Sequence, residues 1–156
     1  KFDPSGLVKG WAIYNAGKII SHEGYNNFYV EAGGDIQTSG KNHLGEDWRV
    51  GIRNPFNKKE IIKVLSISGQ GIATSGVYER GNHIYNPKEN IKLNEVASLT
   101  VIGPNIYEAD RFATAAYVMG LKGIYFIESL SGFEGYLIDS KGTAIFTSNF
   151  SNYIKQ

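Results

Sequence analysis

The chain has 156 residues, of which 42% are hydrophobic and 20% charged, a composition that supports one globular domain and excludes global disorder. Sixteen Lys and Arg stand against fifteen Asp and Glu, a net charge of +1, so no overall field exists to gather nucleic acid or anionic lipid. The absence of cysteine removes disulfides, thiolate metal sites and a cysteine nucleophile together. No apolar run reaches the roughly eighteen residues of a membrane-spanning helix, and the start Lys1-Phe2-Asp3-Pro4 is not a signal peptide. A first residue other than Met reads as a piece of a longer protein, with any targeting segment out of view.

In chain order, Asp3 can cap a helix with Pro4 at its first position, and Val8, Ala12, Ala16, Ile19 and Ile20 then recur at helical spacing up to Gly24. From Phe28 the pattern becomes β-rich. Phe28–Ala32, Trp48–Ile52, Ile61–Ile67, Gly71–Thr74 and Ala97–Ile102 read as antiparallel strands separated by Gly, Asn and Pro. Past the Gly103-Pro104 breaker, Asn105 can cap a helix from Ile106 to Met119, in which Ala109, Ala113, Ala116 and Gly120 form a small-residue face. A short segment around Ile124–Ile127 follows. Gly135–Asp139 and Thr143–Phe146, joined by Ser140-Lys141-Gly142, close the chain as a hairpin. Mostly sequential strands with two covering helices predict an α+β fold of two layers over 1–156, an antiparallel sheet with helices packed on one face.

Chemistry-bearing residues fall in four places. Asp110 and Thr114 are four residues apart on the second helix, so two hard oxygens share one face, as Mg²⁺ requires; the plainer reading is an exposed Asp beside a Thr bonded back to its own helix. Ala32-Gly33-Gly34-Asp35 allows close backbone approach to a ligand, or is a simple β-turn. Thr74-Ser75-Gly76 offers hydroxyls and amides to a phosphate or ribityl oxygen, or is again a turn. His83 lies in a polar stretch shortly after it and can serve as a general base, whereas His22 and His43 read as surface residues. Walker, dinucleotide, nucleophile-elbow and zinc-protease motifs are absent.

In this order, Asp3…Gly6-Leu7-Val8-Lys9-Gly10-Trp11-Ala12, Ala32-Gly33-Gly34-Asp35, Trp48-Arg49-Val50-Gly51-Ile52, Ala73-Thr74-Ser75-Gly76-x-Tyr78-Glu79-Arg80, His83-Ile84-x-x-Pro87 and Ala109-Asp110-x3-Thr114-Ala115 resemble the ApbE family, the FAD:protein FMN transferases. The resemblance implies a T-fold-like architecture and the C-terminal portion of a protein about twice as long. It implies that FAD is split at its pyrophosphate, that FMN passes to a Thr or Ser of an acceptor flavoprotein, and that AMP leaves with the help of Mg²⁺. By it, Asp110, Thr114 and the carbonyl of Gly6 are metal ligands. Lys9, Gly34, Asp35, Ser75 and Glu79 line the FAD site, and His83 is the base for the acceptor hydroxyl. The pattern departs at Asn86, where the family has Asp, and at Glu89-Asn90, where it has Thr-Gly. Two further expectations keep company with transfer: Mg²⁺-dependent FAD pyrophosphatase activity, and a truncated flavin-binding module without catalysis. The family's N-terminal half is missing from this stretch, so completion of the site calls for that half or for self-association. An exported or membrane-attached parent is expected by resemblance, and no nucleic-acid partner is.

Overall fold

The computed structural model describes residues 4–76 and 95–155. Helix α1 (Ser5–His22) opens with Pro4, whose carbonyl accepts from the Leu7 and Val8 amides at 2.9 and 3.1 Å. The predicted cap, Asp3, lies outside the described residues. The facing of α1 corrects the sequence reading: Val8 and Ile19, two of the predicted apolar stripe, are 50% and 65% exposed, and the buried positions are Gly10, Ile13 and Gly17. Close approach explains this. A Cβ on Gly10 would lie 2.7 Å from the Cβ of Asp110, and one on Gly17 would touch Phe28 and Gln37 at 3.4 Å, so the face made of Gly10, Ile13 and Gly17, rather than the predicted stripe, meets the core.

Strands β1 (Phe28–Ala32) and β2 (Asp35–Ser39) form a tight hairpin in which Gly33 and Gly34 both take positive φ, 58° and 86°, the conformation a two-residue turn requires. The sequence reading has no strand at β2, because Asp-Ile-Gln-Thr-Ser lacks β-rich composition. Its polar residues are nonetheless buried and bonded: Gln37 accepts the Ile106 amide at 2.8 Å, and Thr38 donates to the Gln70 carbonyl at 2.8 Å. Strands β5 (Gly71–Gly76), β6 (Val96–Gly103), β7 (Glu134–Asp139) and β8 (Ala144–Phe146) complete an antiparallel sheet in the order β1-β2-β5-β6-β7-β8. The predicted C-terminal hairpin is β7–β8.

Helix α2 (Ile106–Val118) begins where predicted, with the Asn105 side chain accepting from the Glu108 amide at 3.0 Å. Helix α3 (Gly123–Glu128) follows a 3-10 turn. The helices pack on one face of the sheet, as expected: Ile13, Ala109, Ala113, Ala116, Tyr117 and Ile127 meet Ala73, Leu99, Val101 and Leu137 in one core. Strands β3 (Trp48–Arg53) and β4 (Ile61–Ile67) do not extend the sheet but form a separate two-stranded ribbon. It covers the opposite face, where Val50, Ile52, Leu65 and Ile67 join Ile72, Ile102, Tyr136, Ile138 and Phe150 in a second core. Central β6 is therefore buried along its whole length. Among the described residues no helix is long and apolar enough to cross a membrane.

The start of β5 abuts the start of α2. A Cβ on Gly71 would fall 2.0 Å from the Ile106 nitrogen, a backbone atom held by Gln37. Gly71→Ala is expected to destabilise by about 3 kcal/mol, measured by denaturant unfolding. A loss under about 1 kcal/mol would contradict this close contact.

Candidate functional site

Four elements converge at one end of the sheet: the first turns of α1, the β1–β2 turn, the end of β5, and the middle of α2. Asp110 is 6% exposed, so the reading of it as a surface carboxylate fails. Its Oδ2 accepts the Gly10 amide at 2.8 Å, across the glycine seam that lets the two helices touch. In an α-helix the amide of residue 10 points to the carbonyl of residue 6, so Asp110 draws on the same N–H that α1 directs at Gly6. One turn further on, Thr114 faces outward from α2: its Oγ1 lies 3.5 Å from the Ser75 Oγ, and a Cβ on Gly6 would stand 3.1 Å from its Cγ2. Gly6, Gly10, Ser75, Asp110 and Thr114 thus form one contiguous, oxygen-rich cluster.

Asp35 enters from β2. Its Oδ1 accepts the Thr74 amide at 3.1 Å, its Oδ2 meets the Lys9 ammonium at 2.7 Å, and the carboxylate is 1% exposed. Burial pushes its carboxyl up to about 6, while Lys9 pulls it down and the charge of Asp110 raises it again. Two carboxylates and one ammonium therefore feel one another in a poorly solvated site, and the excess negative charge is what a cation would relieve. The Thr74 Oγ1 and Thr100 Oγ1 pair at 2.9 Å, which steadies the strand carrying Ser75.

The turn residue Gly34 donates its amide to Glu31 at 2.7 Å and lines a groove of about 420 Å³ on the ribbon side of the sheet. Tyr29 and Trp48, edge to face at 5.2 Å, form one wall with Arg49 and Arg53 nearby. The glycine turn borders both places: Gly34 lines the groove, and a Cβ on Gly33 would come within 4.0 Å of the Lys9 stem.

Six of the predicted site residues, Gly6, Lys9, Asp35, Ser75, Asp110 and Thr114, are brought together, and Gly34 borders the same place from the other side of the turn. Glu79 and His83 lie outside the described residues. Sequence reasoning missed the bonding role of Gly10, for which a glycine in a helix interior was the available signal. It also missed Gln37, and for Thr74 it missed the bonds to Asp35 and Thr100, which depend on long-range partners.

The raised Asp35 carboxyl sets a pH dependence. The folded chain binds this proton more tightly than the unfolded chain, so the contribution favours folding below pH 3.8 and is lost as pH rises towards 6. Unfolding of the unliganded protein is expected to show a stability loss on the order of 3 kcal/mol across that window from this group. Asp35→Asn should remove that component. An unchanged slope in the variant would contradict it.

Residues 1–137 match the ApbE family. The chain is 30% identical over 155 residues to the FAD:protein FMN transferase of Escherichia coli K12, covering 93% of this chain and 44% of that protein. It is 32% identical over 128 residues to the protein of the same name from Vibrio cholerae, covering 76% and 38%. Among solved structures, the ApbE protein of Thermotoga maritima superposes with a TM-score of 0.89 at 27% identity, covering 100% of this chain and 54% of that one. The flavin transferase ApbE of Vibrio cholerae gives 0.86 at 28%, covering 97% and 52%. The chain thus spans about half the length of the relatives it matches. Its sequence, its fold and the ordered convergence of its motif residues place the chain in the ApbE family.

Proposed function

We propose that this chain forms the metal- and nucleotide-binding half of an Mg²⁺-dependent FAD:protein FMN transferase. The observation that carries the reading is the clustering of Gly6, Ser75, Asp110 and Thr114 beside the Lys9–Asp35 pair. Among the described residues no three His, Cys, Asp or Glu side chains gather, so the Asp110 carboxylate would be joined by oxygens of other kinds. One carboxylate, one hydroxyl and one carbonyl, completed by water and substrate phosphate, is the mixed oxygen shell that Mg²⁺ usually takes. When bound there, Mg²⁺ supplies charge neutralisation for the pyrophosphate and the departing phosphate.

The chain's own residues do the rest. The Gly10 amide fixes the Asp110 carboxylate, so this ligand is held before substrate arrives. Lys9, anchored by Asp35, presents a cation beside the phosphates. The Ser75 hydroxyl, held on the β5 end, is a donor to a phosphate oxygen. Gly33 and Gly34 keep the turn free of side chains, and the groove beside it offers the Tyr29 and Trp48 rings to an aromatic ring of FAD. His83 takes the proton of the acceptor hydroxyl as its oxygen attacks the FMN phosphorus. The bond from that phosphorus to the bridging oxygen breaks, a phosphoester to Thr or Ser forms, and AMP leaves.

The test incubates the intact protein with FAD and Mg²⁺, with and without an acceptor flavoprotein domain, and follows free nucleotides and acceptor mass. AMP with an FMN-sized mass gain supports transfer. AMP with free FMN would make the protein a pyrophosphatase, and flavin binding without AMP would make it a non-catalytic module. Asp110→Asn, which keeps an acceptor for the Gly10 amide, is expected to slow AMP release at least roughly 100-fold with the fold intact. Turnover at the wild-type rate would overturn the metal assignment.

A further inference from the structure

The ribbon carries an uneven share of the charge. Residues 48–67 hold Arg49, Arg53, Lys58, Lys59 and Lys63 against the single carboxylate of Glu60, a net +4 in a chain whose total is +1. Arg49, Arg53, Lys58 and Lys59 are exposed, and among the described residues none of the five forms an ion pair. By contrast Lys9, Lys41, Arg111 and Lys155 each sit against a carboxylate. Glu60, the one acid on the ribbon, is occupied by the Asn54 amide at 2.7 Å. Four of the ribbon's five cations thus face water rather than the protein's own acids.

The place of this patch matters as much as its sign. The ribbon turn reaches the β7–β8 turn, where a Cβ on Gly142 would lie 3.9 Å from the Phe56 ring, and Lys141 adds an exposed cation there. Strand register puts the β7–β8 turn at the catalytic end of the sheet, since Gly76 pairs with Ser98 and Ser98 with Ile138, just before that turn. Phe56, 59% exposed, stands beside these lysines as an apolar anchor within a charged rim. An aromatic anchor ringed by charge is the anatomy of a protein interface.

We propose that the ribbon tip, formed by Phe56, Lys58, Lys59 and Lys141, is the docking surface for an acidic segment of the acceptor polypeptide, placing its hydroxyl residue towards the site. The proposal rests on the transferase reading, which requires a protein substrate to be held at this end. Rim charges of this kind act chiefly on association rate and salt dependence, while the chemistry of the bound complex is unchanged.

The experiment compares the intact protein with its Lys58→Glu/Lys59→Glu/Lys141→Glu variant and with the matching Gln variant. The probes are a fluorescent peptide bearing a Thr between Asp and Glu residues, and the same peptide with Asn and Gln in their place. Direct binding is read by titration without FAD, and transfer by mass with FAD and Mg²⁺. Expected are at least about tenfold weaker binding and a similar fall in kcat/KM for the acidic peptide at low salt, an intermediate loss for the Gln variant, and convergence of all three proteins at high salt. The KM for FAD and peptide-independent AMP release stay unchanged. Equal affinity of wild type and variant, equal binding of the neutral peptide, or a parallel rise in the KM for FAD would overturn the proposal. So would variant-sensitive binding of anionic vesicles or duplex DNA with the acidic peptide unaffected. If wild type binds the acidic peptide through this patch but neither releases AMP nor labels the peptide, the docking surface stands and the transferase reading fails.

Discussion

The 2.8 Å hydrogen bond from the Gly10 amide to the Asp110 carboxylate is the constraint on which the arrangement depends. It exists because α1 presents no side chain at Gly10, where α2 comes closest: a Cβ there would lie 2.9 Å from the Asp110 carboxylate oxygen and 3.0 Å from the Ile106 carbonyl. The contact fixes the distance between the helices, the orientation of the buried carboxylate and, through the following turn of α2, the position of Thr114 against Gly6 and Ser75. A buried carboxylate needs such a partner, because an unpaired charge at this depth costs several kcal/mol. Packing and site geometry are here the same feature, since loosening the helix pair would loosen the oxygen cluster.

The sheet supplies a rigid base for that cluster. Its central strand is enclosed by a helix-side core and a ribbon-side core, so Thr74 and Ser75 project from a strand whose neighbours are locked on both faces. Gln37 ties the sheet to the start of α2, and Asn105 caps the same turn, so the helix that carries Asp110 is held at its N-terminus by two side chains. The electrostatics follow from this enclosure. Asp35 is kept from water, leans on Lys9 and senses Asp110, which leaves a site with surplus negative charge and little solvent to screen it.

Local signals made much of this legible. The Asn105 cap, the alanine face of α2, the β7–β8 turn and the four-residue step from Asp110 to Thr114 are all properties of adjacent residues. The facing of α1 was not legible from hydrophobic spacing, because Gly10 and Gly17 decide it by what they lack, and Val8 and Ile19 are left exposed. Strand β2 escaped notice because its buried polar residues find partners some thirty to seventy positions away, Gln70 for Thr38 and Ile106 for Gln37. The ribbon's separation from the sheet and the groove beneath it depend on how distant segments meet. No window of sequence contains that information.

The proposed divalent cation at the cluster of Gly6, Ser75, Asp110 and Thr114 is what the transferase reading stands on. Mn²⁺ in place of Mg²⁺ tests this directly, because its unpaired electrons broaden the amide NMR signals of nearby residues in the isotope-labelled intact protein. Expected is selective loss of the Gly6, Gly10, Ser75 and Thr114 amide signals at low Mn²⁺, with those of the ribbon strands retained and the effect abolished in Asp110→Asn. Uniform weak broadening, or loss centred on exposed carboxylates such as Glu46 and Glu128 instead, would contradict it.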